Sequence, residues 1–225
     1  SSTFTVALLK LLYTYENRYV STYHIAKEAC EIEIEDLGNP IGKQDQFAAA
    51  FGGLRFYEFM PNGFVKIEPI VMKKESYKKL EENCLMFYTG LKHDASKILK
   101  EQKDNVERDN KKEEMLLKMC DLARELKTHF EQNDVDFLGE CLSKGWQLKK
   151  QMASSISQTA IDELYELGIN NGATGGKLLG AGGGGFLLFY VPTKEGKEKI
   201  RKAFKDYKEL PFELDNSGVS IIFND

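Results

Sequence analysis

The hydrophobic pattern of the first fifty residues predicts short helices separated by strong stop signals. Apolar residues recur three and four positions apart behind two serines that can cap a helix, which predicts a helix over residues 1–15. A second helix is predicted over residues 21–36, because a Gly and a Pro follow at positions 38 and 40. A third, alanine-rich helix is led by Asp45 and closed by two glycines at positions 52 and 53.

Apolar runs predict the strands, and a longer charged block predicts further helices. Two runs around the Pro-Asn-Gly turn at 61–63 predict a β-hairpin over residues 54–67. The remaining elements, in chain order, are a strand at 85–88, helices at about 94–131, 135–154 and 157–168, a glycine-rich stretch at 172–185, a strand at 186–191, a helix at 194–208 and a strand at 219–223. This order predicts an α+β fold with a ferredoxin-like, split β-α-β end and a boundary near residue 70.

Composition narrows the class of protein. The 225 residues suffice for one large or two modest domains, and their 42% hydrophobic and 29% charged content is that of an ordinary globular protein. The net charge of −4 argues against nucleic acid or an anionic membrane as the partner. Four separated cysteines without a C-x-x-C pair, and three histidines without metal-ligand spacing, predict reduced thiols in a cytoplasmic protein. No apolar run approaches the roughly 20 residues of a membrane span.

Asp45 is the first candidate for chemistry. It falls in the first turn of a predicted helix, two residues after Lys43. The helix dipole, the free backbone N–H groups and the lysine all favour an ionised carboxylate there. Such a carboxylate can accept a proton from a substrate hydroxyl. Alternatively, its role can be limited to capping the helix. The residues alone leave both interpretations open.

The glycine-rich stretch is the second candidate. Gly180, Gly182 and Gly185 match G-x-G-x-x-G, but a dinucleotide fold needs this motif after a strand and before a helix. Here a strand is predicted after the glycines, so we exclude that fold. Close approach of the backbone to an anion or to another backbone is favoured over a flexible linker, since linkers usually carry serine and other polar residues.

Polar residues of the first two helices are weaker candidates. Ser1 and Ser2 stand at a predicted helix N-terminus, where backbone N–H groups bind anions and hydroxyls can ligate Mg²⁺. Plain helix capping is the commoner role of such serines. Glu31, Glu33 and Glu35 fan around the second helix, so at most two of them can face one site.

Two segments together resemble the GHMP family of small-molecule kinases. They are Ile-Gly-Lys-Gln-Asp-Gln-Phe-Ala-Ala-Ala-Phe-Gly-Gly at 41–53 and Gly-Lys-Leu-Leu-Gly-Ala-Gly-Gly-Gly-Gly-Phe at 176–186. The Gly-Lys-Gln-Asp-Gln form is similar to the D-glycero-D-manno-heptose 7-phosphate kinase branch. The resemblance implies that residues 1–70 are the C-terminal part of a ribosomal protein S5 domain 2-like, ATP-binding domain. It implies a ferredoxin-like C-terminal domain with inserted helices over 71–225.

The resemblance also implies roles for individual residues. Asp45 matches the catalytic base or charge stabiliser of the substrate hydroxyl, with Lys43 as a second catalytic residue. Mg²⁺ is expected at Ser1 and Glu33. ATP is expected at Ser1, Ser2, Gly180, Gly182, Gly183 and Gly184. The sugar phosphate is expected at Gln44, Gly53, His93 and Lys177, and His93 departs from the family pattern, which has an arginine there.

The sequence therefore predicts an ATP- and Mg²⁺-dependent kinase that phosphorylates a hydroxyl of a sugar phosphate, with heptose 7-phosphate as the expected acceptor. A GHMP kinase for another sugar or small metabolite, and a non-catalytic sugar- or nucleotide-binding relative, are the alternatives. We expect a cytoplasmic protein without nucleic-acid or membrane partners, and a homodimer is left open. Residues 1–3 resemble the tail of the family's phosphate-loop motif, so we expect this 225-residue stretch to be inactive alone.

Overall fold

The chain forms two compact units. The computed structural model describes residues 2–91, 95–211 and 213–223. The first unit contains the residues up to 70 together with the segment after residue 213, and the second contains residues 71–213. The assignment of these units to the two predicted domains stays a prediction. The segment after residue 213 groups with the first unit instead of with the second.

The first unit consists of three helices and a hairpin. Helix α1 spans Ser2–Tyr15, helix α2 Thr22–Cys30, helix α3 Gln44–Phe51, strand β1 Arg55–Phe59 and strand β2 Val65–Pro69. All of these elements were predicted from the sequence. Their buried faces pack around Val6, Ile25 and Phe47. Strands β1 and β2 pair antiparallel, with Tyr57 opposite Ile67.

The second predicted helix changes its form before it ends. Ser21 caps α2, because its hydroxyl accepts a hydrogen bond from the His24 N–H. Beyond Cys30 the chain continues as a π-helical turn over Glu31–Asp36, closed by the Leu37 N–H donating to the Ile32 carbonyl. A π-helical turn rotates the following side chains relative to an α-helix and is often found at functional sites.

The predicted strand at 219–223 is absent from the described residues. The segment lies against the end of α3 instead, where Gly53 N–H donates to the Asp215 carbonyl and Val219 N–H to the Ala50 carbonyl. Ile222 is 96% exposed. A β-branched run forms a strand only when a neighbouring strand accepts its backbone hydrogen bonds, and none of the described strands pairs with this one.

The second unit is built on a four-stranded sheet. Its strands are β3 (Cys84–Tyr88), β4 (Gly175–Leu178), β5 (Phe186–Tyr190) and β6 (Glu209–Leu210), in the order β4-β5-β3-β6 and antiparallel throughout. Its helices are α4 (Lys74–Asn83), α5 (Ala95–Arg108), α6 (Asn110–Glu131), α7 (Phe137–Lys150), α8 (Thr159–Asn170) and α9 (Lys194–Ala203). This is the split β-α-β order with helices inserted after its first strand, so the predicted α+β, ferredoxin-like arrangement is confirmed.

Helix α4 was not predicted, and further details of the second unit differ from the prediction. The helical block at 94–131 breaks at Asp109, whose carboxylate caps α6 by accepting from the Lys111 N–H. Helix α9 ends at Ala203, before the predicted residue 208. Strands β4 and β6 were missed, because one is glycine-rich and the other has only two residues. Strand β4 precedes the glycine motif, but the motif leads into β5 and opens no helix, so a dinucleotide fold stays excluded.

Aromatic rings fill the core of the second unit. Phe189 lies 5.5 Å from Phe204 and 6.5 Å from Phe87 between ring centroids, and all three rings are buried. Trp146 of α7 is fully buried in the same cluster. The four cysteines are free thiols, as predicted. Among the described residues, no helix is both long and apolar enough to cross a membrane.

Two helix glycines offer a matched test of this packing. A Cβ at Gly145 would meet nothing within 4 Å, whereas a Cβ at Gly168 would overlap the Phe189 ring. We expect Gly145→Ala to raise the free energy of unfolding by roughly 0.5–1 kcal/mol, through helix propensity alone. We expect Gly168→Ala to lower it by about 1–3 kcal/mol through overpacking. Urea denaturation measures both, and stabilisation by both variants would contradict the close contact of α8 with the sheet.

Candidate functional site

Helix α3 presents the candidate catalytic residues to solvent. It begins after Lys43, and no side-chain hydrogen bond caps its N-terminus. Lys43, Gln44 and Asp45 are all exposed. Within the described part of the chain, the Asp45 carboxylate has neither a hydrogen bond nor an ion pair. Asp45 therefore does not act as a cap, and its carboxylate in the first turn of α3 is available to a ligand.

Glu33 has the opposite environment. It is 2% exposed and lies in the π-helical turn. The Ser2 hydroxyl donates to its Oε2 at 2.7 Å, and the Thr5 hydroxyl donates to its Oε1 at 2.8 Å. The Gln46 side-chain amide also donates to Oε2. One carboxylate thus joins helices α1 and α3 to the turn that follows α2.

The hydrogen bonds decide the charge of this buried group. Burial raises the pKa of the Glu33 carboxyl, but the donors from Ser2, Thr5 and Gln46 together outweigh burial and hold the pKa below its usual range. Glu33 is therefore ionised at neutral pH. An ionised, buried carboxylate is tolerated because several donors satisfy it.

The oxygen atoms around Glu33 are of the types that bind a hard cation. Gln46 is fully buried, and its Oε1 has no hydrogen-bond partner within the described structure. Carboxylate, hydroxyl and amide oxygens are the ligand types that Mg²⁺ prefers, and Mg²⁺ usually takes only one or two carboxylates from the protein. Among the described residues no group of three His, Cys, Asp or Glu could hold a metal. Glu33 is thus a chemically suitable ligand, although both its oxygens already accept hydrogen bonds.

The other predicted residues of the first unit are placed as follows. Ser2 is buried at the start of α1, and its hydroxyl is engaged by Glu33. Gly53 has φ +70 and follows the end of α3. Ser1 lies outside the described residues, as does His93 of the second unit. Gln46 was not predicted as a site residue, because nothing in its sequence position shows that its amide reaches Glu33.

The glycine motif forms a tight hairpin loop between β4 and β5. Gly180, Gly182 and Gly183 have positive φ values of +77, +122 and +74. A Cβ at Gly182 would come within 2.9 Å of the Ile156 Cα, and the Gly183 N–H donates to the Ile156 carbonyl at 2.8 Å. Gly184 is buried in the same loop. The loop is therefore an ordered turn packed on its neighbours and not a linker.

A carboxylate from α5 holds the segment on which this hairpin loop packs. The Glu101 carboxylate accepts from the Ser154 N–H and hydroxyl at 2.8 Å, and from the Ser155 hydroxyl at 2.5 Å. These hydrogen bonds lower the pKa of Glu101. Because Ser155 directly precedes Ile156, the anchor fixes the carbonyl that receives the Gly183 N–H.

Lys177 lies on β4, and a second lysine of the same unit accompanies it. Both Lys177 and Lys149 of α7 are half-buried. The Lys149 ammonium donates to the Gly180 carbonyl at the edge of the glycine hairpin loop. Lys149 was missed as a site residue, because its contact with Gly180 bridges 31 positions of sequence.

Comparisons with known proteins identify relatives over almost the whole chain. The family model described as GHMP kinases N terminal domain matches residues 1–53, and the one described as GHMP kinases C terminal matches residues 122–209. A D-glycero-alpha-D-manno-heptose 7-phosphate kinase of Campylobacter jejuni is 37% identical over 196 residues, which are 87% of this chain and 58% of the relative. A bifunctional fucokinase/GDP-fucose pyrophosphorylase of Arabidopsis thaliana is 26% identical, over 98% of this chain and 21% of the relative.

Solved structures of sugar kinases resemble this chain over almost its whole length. A D-glycero-D-manno-heptose 1-phosphate kinase from Bacteroides thetaiotaomicron superimposes with a TM-score of 0.74 at 26% identity, covering 99% of this chain and 63% of that one. A putative sugar kinase from Campylobacter jejuni superimposes with a TM-score of 0.72 at 31% identity, covering 97% and 62%. The chain thus spans less than two thirds of the length of these relatives.

The cluster of Glu33 with its donors Ser2, Thr5 and Gln46 predicts a specific pH dependence of stability. Because hydrogen bonds lower the folded-state pKa of Glu33, its contribution is complete above the ordinary glutamate pKa of about 4.3. That contribution is lost as the pH falls through the lower folded-state pKa. We expect Glu33→Gln to lower the free energy of unfolding at pH 7 by about 1–3 kcal/mol and to make its acid decline shallower.

Urea denaturation between pH 3 and pH 7 measures this effect. Glu35→Gln is the matched control, since Glu35 is exposed two residues away in the same π-helical turn. We expect the control to retain the acid decline of the unchanged protein. An equally steep decline in Glu33→Gln would show that the cluster does not stabilise through its charge.

Proposed function

Because the chain belongs to the GHMP kinase family, we propose that the protein transfers the γ-phosphoryl group of ATP to a hydroxyl of a sugar phosphate. The exposed Asp45 carboxylate carries this proposal, since it has no partner in the described chain and lies in the first turn of α3. A carboxylate in that state can hold or deprotonate a substrate hydroxyl. Proton transfer of this kind contributes about 10²–10⁴ in rate.

The residues around Asp45 have supporting roles in this proposal. Lys43 adds a positive charge one position before the helix, where phosphate oxygens are attracted. Gln44 and Gly53, at the two ends of α3, are proposed to contact the acceptor sugar. Phosphoryl transfer depends on positioning and charge stabilisation more than on covalent chemistry by the protein. The rigid attachment of α3 through Gln46 and Glu33 suits that requirement.

Mg²⁺ is proposed as the cofactor of the reaction. Glu33, with Ser1 as predicted, would hold it, and the unpartnered Gln46 Oε1 is a further oxygen in the same cluster. When bound, Mg²⁺ would neutralise the charge of the nucleotide phosphates. Ser2 and the glycine hairpin loop are proposed to contact ATP. The proposal includes the predicted cytoplasmic location, since ATP is a substrate.

Heptose 7-phosphate is the proposed acceptor. The support is the 37% identity with the relative named as a heptose 7-phosphate kinase, together with the likeness to a heptose 1-phosphate kinase structure. A kinase for another sugar is the alternative, because a galactokinase of Pyrococcus furiosus and two fucokinases are also relatives, at 25–26% identity. A non-catalytic binding protein is disfavoured, since binding alone requires no free carboxylate like that of Asp45.

An acceptor panel tests the proposal directly. The full protein as its gene encodes it is assayed for ADP release with heptose 7-phosphate, unphosphorylated heptose, fucose and galactose. We expect release with heptose 7-phosphate at least tenfold above the other acceptors, because a polar site rejects analogues that leave its charged groups unpaired. Highest release with fucose or galactose would favour the alternative kinase. Binding without release with any acceptor would favour the non-catalytic relative.

Asp45→Asn tests the role of the carboxylate. The amide keeps the shape of the side chain but cannot accept the proton, so we expect kcat to fall by about 10²–10⁴ while the Kd for ATP stays within about twofold. Asp36→Asn is the matched control, as Asp36 is an exposed carboxylate at the end of the π-helical turn. Near-normal ADP production by Asp45→Asn would refute the assignment of Asp45.

A further inference from the structure

A segment from far along the chain crosses the C-terminal end of helix α3. The Gly53 N–H donates to the Asp215 carbonyl at 2.5 Å, and the Val219 N–H donates to the Ala50 carbonyl at 3.2 Å. Residues 214–219 are called the strap below. They belong to the first unit, as α3 does, although the whole second unit lies between them along the chain.

Two glycines allow the strap to lie directly on the helix. Gly218 has φ +62, and a Cβ placed there would come within 2.5 Å of the Ala50 carbonyl oxygen. A Cβ on Gly52 would overlap the Gly218 nitrogen. Because a side chain on either residue would collide with backbone, the crossing requires glycine on both sides.

The strap supplies contacts that the end of α3 lacks. The last four carbonyls of an α-helix have no partner within the helix, and the Ala50 carbonyl receives the Val219 N–H instead. The Val219 side chain also packs against the hydrophobic core of the first unit. An isolated helix of eight residues is marginal in water, so α3 depends on contacts of this kind.

Helix α3 therefore has a polar attachment near each end. In its first turn the Gln46 amide donates to the buried Glu33 carboxylate, and in its last turn the strap contacts Ala50. A helix of this length is a rigid rod of about 12 Å. One attachment lets such a rod pivot on its packed face, whereas two fix the direction of its axis. Because Asp45 directly precedes Gln46, the direction of its carboxylate depends on both attachments.

We propose that the strap is a positioning element, which fixes the axis of α3 through Gly218 and thereby holds the Asp45 carboxylate in place for the reaction. The inference rests on the proposed function, in which Asp45 holds or deprotonates the acceptor hydroxyl. The strap acts through α3 and needs no contact of its own with a substrate. A displacement of reacting groups by about 1 Å can cost about 10²-fold in rate, so a crossing at the far end of the helix is sufficient to control kcat.

Gly218→Ala tests the strap in the full protein as its gene encodes it. The added Cβ would push the strap away from Ala50. We expect the Phe47 amide, which donates to the Lys43 carbonyl at the start of α3, to exchange with solvent about tenfold faster in residue-resolved hydrogen exchange. We expect kcat for ADP release with heptose 7-phosphate to fall by about 10- to 100-fold. KM for the sugar and Kd for ATP should stay within about twofold, which a general loss of structure would not allow.

Gly38→Ala is the matched control. Gly38 lies in the same unit with φ +65, but a Cβ there would meet no atom within 4 Å. The control thus carries the same backbone strain without the collision, and its Phe47 exchange and kcat should match those of the unchanged protein. Val219→Ala is a milder second variant, since it keeps the glycine crossing and shortens only the packed side chain. It should change exchange and kcat in the same direction by less, and thermal melting verifies that each variant is folded.

Three results would overturn the inference. The first is faster exchange confined to the Gly53 and Val219 amides with an unchanged Phe47 amide, because the strap would then act only at the crossing. The second is a normal kcat in folded Gly218→Ala. The third is an equal effect in Gly38→Ala, which would trace the loss to backbone strain and not to the strap.

The exchange measurement separates this inference from the proposed function. If the unchanged protein releases no ADP with any acceptor, the kinase proposal fails, while the Phe47 amide still decides whether the strap fixes α3. If folded Gly218→Ala releases ADP at the normal rate, the kinase proposal stands and the positioning role of the strap fails.

Discussion

The buried charge of Glu33 is the constraint on which the first unit depends. An ionised carboxylate that is 2% exposed is stable only while its donors stay in place, so Ser2, Thr5 and Gln46 cannot move independently. The π-helical turn brings Glu33 to these donors. Because successive residues of a helix point about 100° apart, the inward position of Gln46 turns Asp45 outward. The hydrogen-bonded cluster thus determines where the free carboxylate of α3 points.

In the second unit, glycines without side chains allow strand β4 to pack closely against its neighbours. Gly175 lies on Gly139 of α7, and Gly176 lies against the Phe189 ring, so strand β4 can approach a helix and the core only without side chains. Part of the glycine-rich stretch therefore serves packing and not ligand binding. The close packing of strand β4 against helix α7 thus depends on these glycines.

The sequence predicted the elements whose signals are local. Helix α3, the β1–β2 hairpin and strand β5 have their capping, turn or apolar patterns within about ten residues, and all three are present. Strand β4 was missed, because its glycines are disfavoured in strands and only pairing with β5 makes them extended. The strand predicted at 219–223 failed for the converse reason, as the described strands do not pair with it. Contacts such as that of Gln46 with Glu33 arise from folding and leave no local signal.

Whether a charged side chain has a partner within the fold distinguishes structural residues from candidate ligand-binding residues. Glu33 and Asp45 are twelve positions apart and both acidic, yet one accepts three hydrogen bonds and the other accepts none within the described chain. Among the lysines of the second unit, Lys144 is paired with a carboxylate and Lys149 is not. Sequence patterns do not make this distinction, because a motif specifies residue types and not their partners. The surroundings of each charged group, and not its residue type, therefore decide whether it holds the fold together or stays accessible to a ligand.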